Sequence, residues 1–246
     1  MNTYEERYVA FIDVLGFKNL IKRSETDPET LKNILDALAL VEEYIQTMQM
    51  DTRDVNVLAM EKTGFRVTTF SDSIVISTKA NGIGISFIMT CVSLICISLL
   101  CKGIFVRGGI SKGKMIHKDQ ITIGNGLINA YEIESKCAIY PRVIIEPSIV
   151  FDLERIEAHE SQPSILRKRD FDGLWYIDML DRTLVSIVTP LFHVNEQSLL
   201  ITVKSKIEKE LIGQEDISIK SKIMWLARYF NESVEHYGDK SLIIHL

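Results

Sequence analysis

The segment YVAFIDVLG, residues 8–16, decides how the rest of the chain is interpreted. It is a short apolar run rich in strand-forming residues, and it ends at a glycine, so it predicts a buried β-strand. Asp13 lies near the carboxyl end of that strand. A carboxylate in such a run is costly to bury unless something pairs with it. Asp13 is therefore a candidate functional residue, although an aspartate after a strand is also an ordinary cap or turn residue.

Two further strand-like runs, residues 64–70 and 74–77, flank the polar break Ser71-Asp72-Ser73. A short polar break between two strands predicts a hairpin. If the hairpin lies beside the first strand, the carboxylates of Asp13 and Asp72 meet at one edge of the sheet. An aspartate between serines is also a good turn former in its own right.

Two hard oxygen ligands at one edge predict a site for Mg²⁺ or Mn²⁺. Such ions bind few protein groups and complete their shell with phosphate oxygens and water. Val14 could add a backbone carbonyl, and Gly16 lets backbone N–H groups come close to phosphates. Two ions at one site clamp the attacking and leaving oxygens of a displacement at phosphorus.

Composition narrows the function classes. The 246 residues are 46% hydrophobic and 25% charged, which is ordinary for one or two globular domains. The net charge of −5 argues against broad binding to nucleic acid. It does not exclude an anionic small molecule, because metal ions can screen one.

The stretch 81–101 has no charged residue and accounts for most of the positive mean hydropathy of +0.11. Its length is close to that of a membrane span, about 20 residues. It contains serines and a threonine and lies between two strands of one domain, so we expect a buried core helix and no membrane association. The four cysteines form no Cys-x-x-Cys pair and the start of the chain has no secretory pattern, which predicts a reducing, cytoplasmic location without a zinc site.

The remaining patterns predict an α+β fold. We expect an amphipathic helix over 28–48, a strand over 104–111, a hairpin reaching 123, a helix over 126–137 and a strand over 142–145. Helices interleaved with hairpins favour a mostly antiparallel sheet covered by helices on one face. Residues 152–172 are charged and irregular in pattern, and helices are predicted near 194–212 and 216–235. The chain thus divides into a domain over 1–150 and a helical extension over 151–246, packed on it.

Several phrases together resemble the class III nucleotidyl cyclases over about residues 7–146. They are FIDVLGF at 11–17, FSDS at 70–73, VRGGISKG at 106–113 and the Gly, Ala and Glu positions of 124–134. More narrowly, VRGGI, NAYEIE, YPRVII and WLARYFN are similar to the bacterial pyrimidine cyclases of the Pycsar anti-phage system, over nearly the whole chain.

The resemblance implies a ferredoxin-like cyclase domain over 1–150 that works as a homodimer with its sites at the interface. The implied reaction converts UTP or CTP into a 3′,5′-cyclic nucleotide and pyrophosphate, as a second messenger read by a downstream effector. It implies Asp13, Val14 and Asp72 as ligands of two Mn²⁺ or Mg²⁺ ions and Asp13, Asp72 and Arg107 as catalytic residues. The substrate-binding candidates are Phe11, Val14, Leu15, Gly16, Phe17, Thr68, Ile121 and Tyr131.

Departures from the family pattern bear on substrate and mechanism. The family positions for the purine-reading Lys and Asp hold Thr68 and Ile121, which agrees with a pyrimidine base. The positions for the transition-state Asn and Arg hold Ile128 and Glu132.

Other cations must then stabilise developing phosphoryl charge. The candidates near the expected site are Arg107, Lys112, Lys114 and Arg142. We favour Arg107 because two glycines follow it, and Tyr131 as a neighbour across the dimer.

Two alternatives remain open. One is a purine cyclase with an unorthodox base pocket. The other is a catalytically silent cyclase-like domain that binds a nucleotide, or that dimerises as a sensor. The preference between UTP and CTP is also open, because no charged base-reading pair is present. The five histidines are scattered, and none stands out as a base.

Overall fold

The computed structural model describes residues 3–37, 39, 62–118, 120–160, 166–190 and 192–246. The strands are β1 (Glu5–Val14), β2 (Arg66–Phe70), β3 (Ser73–Lys79), β4 (Val106–Lys118), β5 (Ile121–Ile123), β6 (Val143–Ile145), β7 (Arg167–Arg169) and β8 (Trp175–Ile177). The helices are α1 (Phe17–Ser24), α2 (28–37 of its described part), α3 (Gly82–Cys101), α4 (Asn125–Cys137), α5 (Pro147–Glu160), α6 (Arg182–Val188), α7 (Glu196–Ile212) and α8 (Ile217–Tyr237).

The sheet confirms the predicted fold class. Its order is β2-β3-β1-β4-β6-β8-β7, with β5 paired to β4. The first four strands are antiparallel to their neighbours and alternate with helices as β-α-β-β-α-β, which is the ferredoxin-like arrangement. The pair β4–β6 is parallel, so the sheet is antiparallel for the most part.

The alternation of β1 sorts its side chains between two cores. Tyr8, Ala10 and Ile12 are buried in the large core that contains α3. Val9 is buried in a smaller core on the opposite face, with Phe11 packed against it. The two sets lie in different cores because successive side chains of a strand point to opposite faces of the sheet.

Helix α3 is the core helix that the sequence predicts. It starts at an Asn81 cap, whose side chain accepts a hydrogen bond from Gly84 N, and most of its residues are buried. It is the one described helix that is both long enough and apolar enough to cross a membrane. However, 78% of its most apolar window is buried inside the protein. Burial on nearly all sides explains why it lacks the polar face of a surface helix.

Helix α4 covers the second face of the sheet, so the prediction of helices on one face is wrong in this respect. A Cβ at Gly109 would lie 2.4 Å from Ala130 O, and one at Gly113 would lie 2.9 Å from Gly126 N. The glycines of β4 therefore let α4 approach the strand backbone directly, which a periodicity argument alone does not reveal.

Other elements differ in detail from the predictions. The hairpin of β2 and β3 and the hairpin of β4 and β5 are confirmed, as are the two C-terminal helices. The predicted helix 28–48 is helical through residue 37, and residues 38 and 40–48 lie outside the described residues. The prediction that 152–172 is irregular is wrong for much of its described part, because α5 runs to Glu160 and β7 spans Arg167–Arg169; residues 161–165 lie outside the described residues. The expected division at residue 150 falls inside α5.

The C-terminal part adds strands as well as helices, since β8 pairs with β6 and β7 pairs with β8. Arg142 joins the two parts. Its guanidinium is fully buried, pairs with Asp170 and Asp172, and lies 5.6 Å from the ring centroid of Trp225. The Trp225 indole N–H donates to Asp170 Oδ2 at 2.9 Å. The cluster is therefore held by ion pairs and by a hydrogen bond to a charged group.

We expect Arg142→Met to lower the free energy of unfolding by about 3–5 kcal/mol, because it leaves two carboxylates without their buried cation. Urea unfolding followed by circular dichroism measures this. Arg169→Met is the matched control, since Arg169 is exposed and its Nε donates only to Gly173 O. Equal losses in the two variants would contradict the anchoring role of Arg142.

Candidate active site

Three side chains form a row across the strands at one end of the sheet. Asp13 of β1 lies opposite Ser73 of β3 and opposite Arg107 of β4. Cross-strand partners project from the same face, and this is the face that α4 covers. The row therefore places a carboxylate between a hydroxyl and a guanidinium.

Asp72 joins this row from the turn between β2 and β3. The backbone N–H of Val14 donates to Asp72 O at 3.0 Å, which ties the turn to the end of β1. The turn also holds Ser71 at a φ of 51°, in the left-handed region. The structure thus brings Asp13 and Asp72 to one edge, as the sequence predicts from strand adjacency.

The two carboxylates repel each other. Burial raises the pKa of Asp13, and the charge of Asp72 raises it further, while Arg107 and the Ser73 hydroxyl oppose the shift. Ser73 Oγ donates to Asp13 Oδ1 at 3.2 Å. A cation at this edge would relieve the repulsion.

The donor set is small and consists of oxygen. Within the described ranges, no group of three or more His, Cys, Asp or Glu side chains is placed to hold a metal. Two carboxylates suit Mg²⁺ or Mn²⁺ when phosphate oxygens and water supply the other ligands, whereas a structural zinc site needs more protein ligands. Asp13 and Asp72, with the Val14 carbonyl nearby, fit such an ion.

The chain turns sharply between the carboxylates and α1. Gly16 has a φ of 70° and is the N-cap of α1, with no atom within 4 Å of where its Cβ would lie. Leu15 N donates to Phe105 O at 2.8 Å, and Phe17 is the first residue of the helix. The N–H groups of Val14 and Leu15 are bonded to Asp72 O and Phe105 O, whereas the first N–H groups of α1 have no acceptor within the helix, so the turn offers an anion the N–H groups from Gly16 onward.

Arg107 also contacts Glu134, a residue of the 124–134 phrase to which the sequence assigned neither a role nor a partner. Arg107 Nε lies 2.7 Å from Glu134 Oε1 and 3.7 Å from Asp13 Oδ2. Glu134 is only 3% exposed, and burial raises the pKa of its carboxyl while Arg107 opposes that shift. The sequence signal is helical spacing: Gly126, Ala130 and Glu134 share the buried side of α4.

Thr68, one of the expected base-reading positions, belongs to a buried polar network. Its Oγ1 lies 2.9 Å from His117 Nε2, and His117 Nδ1 lies 2.8 Å from Ser77 Oγ. Arg7 Nε donates to Ser77 Oγ at 2.9 Å. Burial lowers the pKa of His117 to about 4, with help from Arg7 and Arg66, so this histidine is neutral near pH 7. The network was missed because its members are far apart in sequence.

Of the other expected base and dimer positions, Phe11 and Tyr131 lie beside the site, whereas Ile121 pairs with Lys118 at the end of β4 far from Arg107. Phe11 contacts Tyr131 edge to face, with ring centroids 5.4 Å apart. Tyr131 and Ile121 are each more than half exposed, and β5 carries Ile121 next to the end of β4.

Of the four candidate cations, Arg107 is the one beside the carboxylates. Lys112 projects from the opposite face, where its Nζ binds Asp152 Oδ2 at 2.7 Å. Lys114 is exposed, and Arg142 is enclosed by its own carboxylates. Arg142 does lie next to the site end of β4, since its carbonyl accepts a hydrogen bond from Gly108 N at 3.2 Å, but its guanidinium is engaged by Asp170 and Asp172.

No protein-family model matches the chain, and no curated protein matches it. Among solved structures it is similar to the catalytic core of a rhodopsin-guanylyl cyclase with converted specificity in complex with ATPαS, at 16% identity and a TM-score of 0.41, covering 71% of this chain and 95% of that chain. It is also similar to the monomeric guanylyl cyclase domain of a fusion protein from the aquatic fungus Blastocladiella emersonii, at 15% identity and a TM-score of 0.42, covering 71% and 95%. A third neighbour is the guanylate cyclase domain from Catenaria anguillulae in complex with GTP, at 15% identity and a TM-score of 0.39, covering 71% and 96%. The ferredoxin-like assignment rests on the strand order of the chain itself.

We expect Asp72→Asn to stabilise the fold at pH 7 by less than about 1 kcal/mol, because it removes a like charge beside a partly exposed carboxylate. The pKa of Asp13 is raised, so the repulsion acts only above that pKa. The gain should vanish as the pH falls through it, when protonation of Asp13 removes the same repulsion.

Urea unfolding from pH 7 to pH 3 measures this gain. Asp36→Asn is the control, since Asp36 pairs with Lys102 at an exposed position and should give no gain at pH 7. A gain for Asp72→Asn that persists at pH 3, or a loss at pH 7, would contradict the repulsion.

We expect Gly16→Ala to weaken the binding of inorganic tripolyphosphate with Mg²⁺ by about 10- to 100-fold, because a displaced turn misplaces its N–H groups. Gly238→Ala is the matched control. Gly238 also has a left-handed φ, 78°, and open space at its Cβ position, but it caps the end of α8. Titration calorimetry on both variants separates loss of the anion site from backbone strain, and equal binding by the two variants would refute the site.

Proposed function

We propose that the chain is a nucleotidyl cyclase, a phosphorus–oxygen lyase that forms a 3′,5′-cyclic nucleotide and pyrophosphate. One observation carries the proposal: Asp13 and Asp72 share one sheet edge, with Arg107 beside them and the Gly16 turn next to them. The class III cyclase resemblance of the segments that form this edge supports the same reaction.

In the proposed reaction the ribose 3′-oxygen attacks its own α-phosphorus. The new O–P bond forms as the bond to the β-phosphate oxygen breaks, pyrophosphate leaves with that electron pair, and the 3′-hydroxyl proton passes to solvent. Two Mg²⁺ or Mn²⁺ ions on Asp13 and Asp72, with the Val14 carbonyl, would supply a lowered pKa for the 3′-hydroxyl and screening of the triphosphate.

The side chains of the site take distinct roles. Arg107 is a fixed cation beside the carboxylates. It neutralises the negative charge that develops on the α-phosphoryl group in the transition state. Within the backbone of residues 14–17, the N–H groups of Gly16 and Phe17 bind the triphosphate, since those of Val14 and Leu15 already donate to carbonyls. Phe11 and Tyr131 offer aromatic surface to the base, and an exposed Tyr131 is free to contact a second subunit.

A pyrimidine base is the substrate class that we favour, so the products are cyclic UMP or cyclic CMP. Thr68 and Ile121 hold no charge with which to read a purine edge, and Thr68 is buried against a neutral His117. The Pycsar resemblance supports a cytoplasmic role in anti-phage defence, with an effector that senses the cyclic nucleotide. A purine cyclase with an atypical pocket is the outcome if a purine triphosphate is preferred.

A homodimer with its sites at the interface is part of the proposal. Ile128 and Tyr131, neighbours at i and i+3 on α4, are exposed apolar side chains, and Tyr131 packs edge to face on Phe11 of β1 beside the site. Adjoining exposed apolar side chains are typical of a surface that associates.

One observation favours a catalytically silent, nucleotide-binding relative instead. Ile128 is exposed and Glu132 pairs with Lys136 at 3.0 Å, so neither supplies the amide or cation that the family uses at those positions. If the chain is a cyclase, Arg107 is the described cation beside the carboxylates that is left to stabilise the transition state within one chain.

We expect purified protein with Mn²⁺ to convert UTP or CTP into a cyclic nucleotide faster than ATP or GTP, with products identified by mass spectrometry. Asp72→Asn should abolish turnover while the protein stays folded and dimeric. Absence of cyclic product from all four triphosphates would sink the enzyme and favour the silent relative. Near-normal turnover by Asp72→Asn would refute the proposed metal site.

A further inference from the structure

Glu134 is a charged residue where α4 otherwise buries small ones. It follows Gly126 and Ala130 on the side of the helix that faces β4, and it is 3% exposed. A buried carboxylate is costly unless a cation pairs with it. Its ion-pair partner here is Arg107, with Nε at 2.7 Å from Oε1.

Arg107 has a second carboxylate within reach, and that one belongs to the proposed metal site. Its Nε is 3.7 Å from Asp13 Oδ2, so Glu134 holds the closer contact by 1.0 Å (3.7 minus 2.7). An arginine free to pair fully with Asp13 would compete with a cation for the same oxygens. Glu134 therefore shares the guanidinium with Asp13 and holds the shorter of the two ion pairs.

We infer that Glu134 is a positioning residue, whose carboxylate fixes the Arg107 guanidinium beside the Asp13–Asp72 edge in the orientation that meets the triphosphate. This rests on the proposed function. Holding an unrestrained arginine side chain in one conformation costs about 2 kcal/mol of rotamer entropy. The ion pair with Glu134 offsets this cost before the substrate arrives.

The sign of the effect separates positioning from bulk electrostatics. Removing a negative charge near a polyanion should strengthen its binding if Glu134 acts only through its charge. Removing the restraint on Arg107 should weaken binding and slow turnover instead. Glu134→Gln keeps the size of the side chain, so the two effects predict opposite directions.

The test is a double-mutant cycle with Glu134→Gln, Arg107→Met and both together. We expect Glu134→Gln alone to lower kcat with UTP or CTP by about tenfold, in the range typical of a residue that orients a ligand. In the Arg107→Met background the same change should have no further effect. Glu157→Gln is the matched control, since Glu157 pairs with the buried Arg167 away from the site.

A second readout does not depend on turnover. We expect Glu134→Gln to weaken binding of inorganic tripolyphosphate with Mg²⁺, measured by titration calorimetry, and thermal unfolding checks that each variant is folded. Tighter binding by Glu134→Gln, or an equal loss in the Arg107→Met background, would overturn the positioning role. If no triphosphate is cyclised but tripolyphosphate binding still follows the cycle, the cyclase proposal fails and the positioning role stands.

Discussion

The pairing of β1 with β3 on one side and β4 on the other is the interaction on which the rest of the structure depends. Because β1 is hydrogen-bonded along both edges, a slip of one residue would move Asp13 to the face occupied by α3. The alternation that buries Tyr8, Ala10 and Ile12 against α3 is therefore the same alternation that presents Asp13 beside Arg107. The apolar core fixes the register, and the register fixes the site.

The two faces of the sheet have different tasks. The α3 face carries the large core, in which helix hydroxyls such as that of Ser93 donate along the helix to Met89 O, and the Lys112–Asp152 ion pair lies on this face too. The α4 face carries the smaller core and places ionic groups at one end and the His117 network at the other. Repulsion between the two carboxylates lowers the stability of the fold, and apolar burial on the α3 face offsets that loss. This is the usual relation between a functional site and its scaffold.

Much of the fold could be predicted from the sequence, because its strongest signals are local. The β1 run, the polar break at Asp72 and the uncharged α3 segment each identify an element without reference to the rest of the chain. The site could be predicted only in part. Asp13 and Asp72 follow from strand adjacency, whereas Glu134 and His117 depend on which helix and strand come to face them, and neither lies in a motif that predicts its partner.

Two features of the structure that the sequence did not predict have the same origin. Residues 152–172 have a charged pattern, but α5 packs one side of itself on the sheet and β7 pairs with β8, so tertiary contacts override a weak local preference. The pairing of the Arg142 guanidinium with Asp170 and Asp172 was not predicted either, because these partners lie far downstream. A cation in sequence next to a candidate site carries no information about which carboxylates will reach it first.

The buried guanidinium of Arg142 also has a consequence for the order of events during synthesis. Its carboxylates are 28 and 30 residues further along the chain, and Asp170 is in turn bonded by Trp225, 55 residues beyond that. A nascent chain that has just completed β6 contains Arg142 and the Tyr140 ring that covers it at 5.3 Å, but neither of its two carboxylate partners nor Trp225. Burial of this guanidinium with its full set of partners therefore requires residues as far along the chain as 225, which makes the strands that precede Arg142 dependent on the C-terminal part for their final packing.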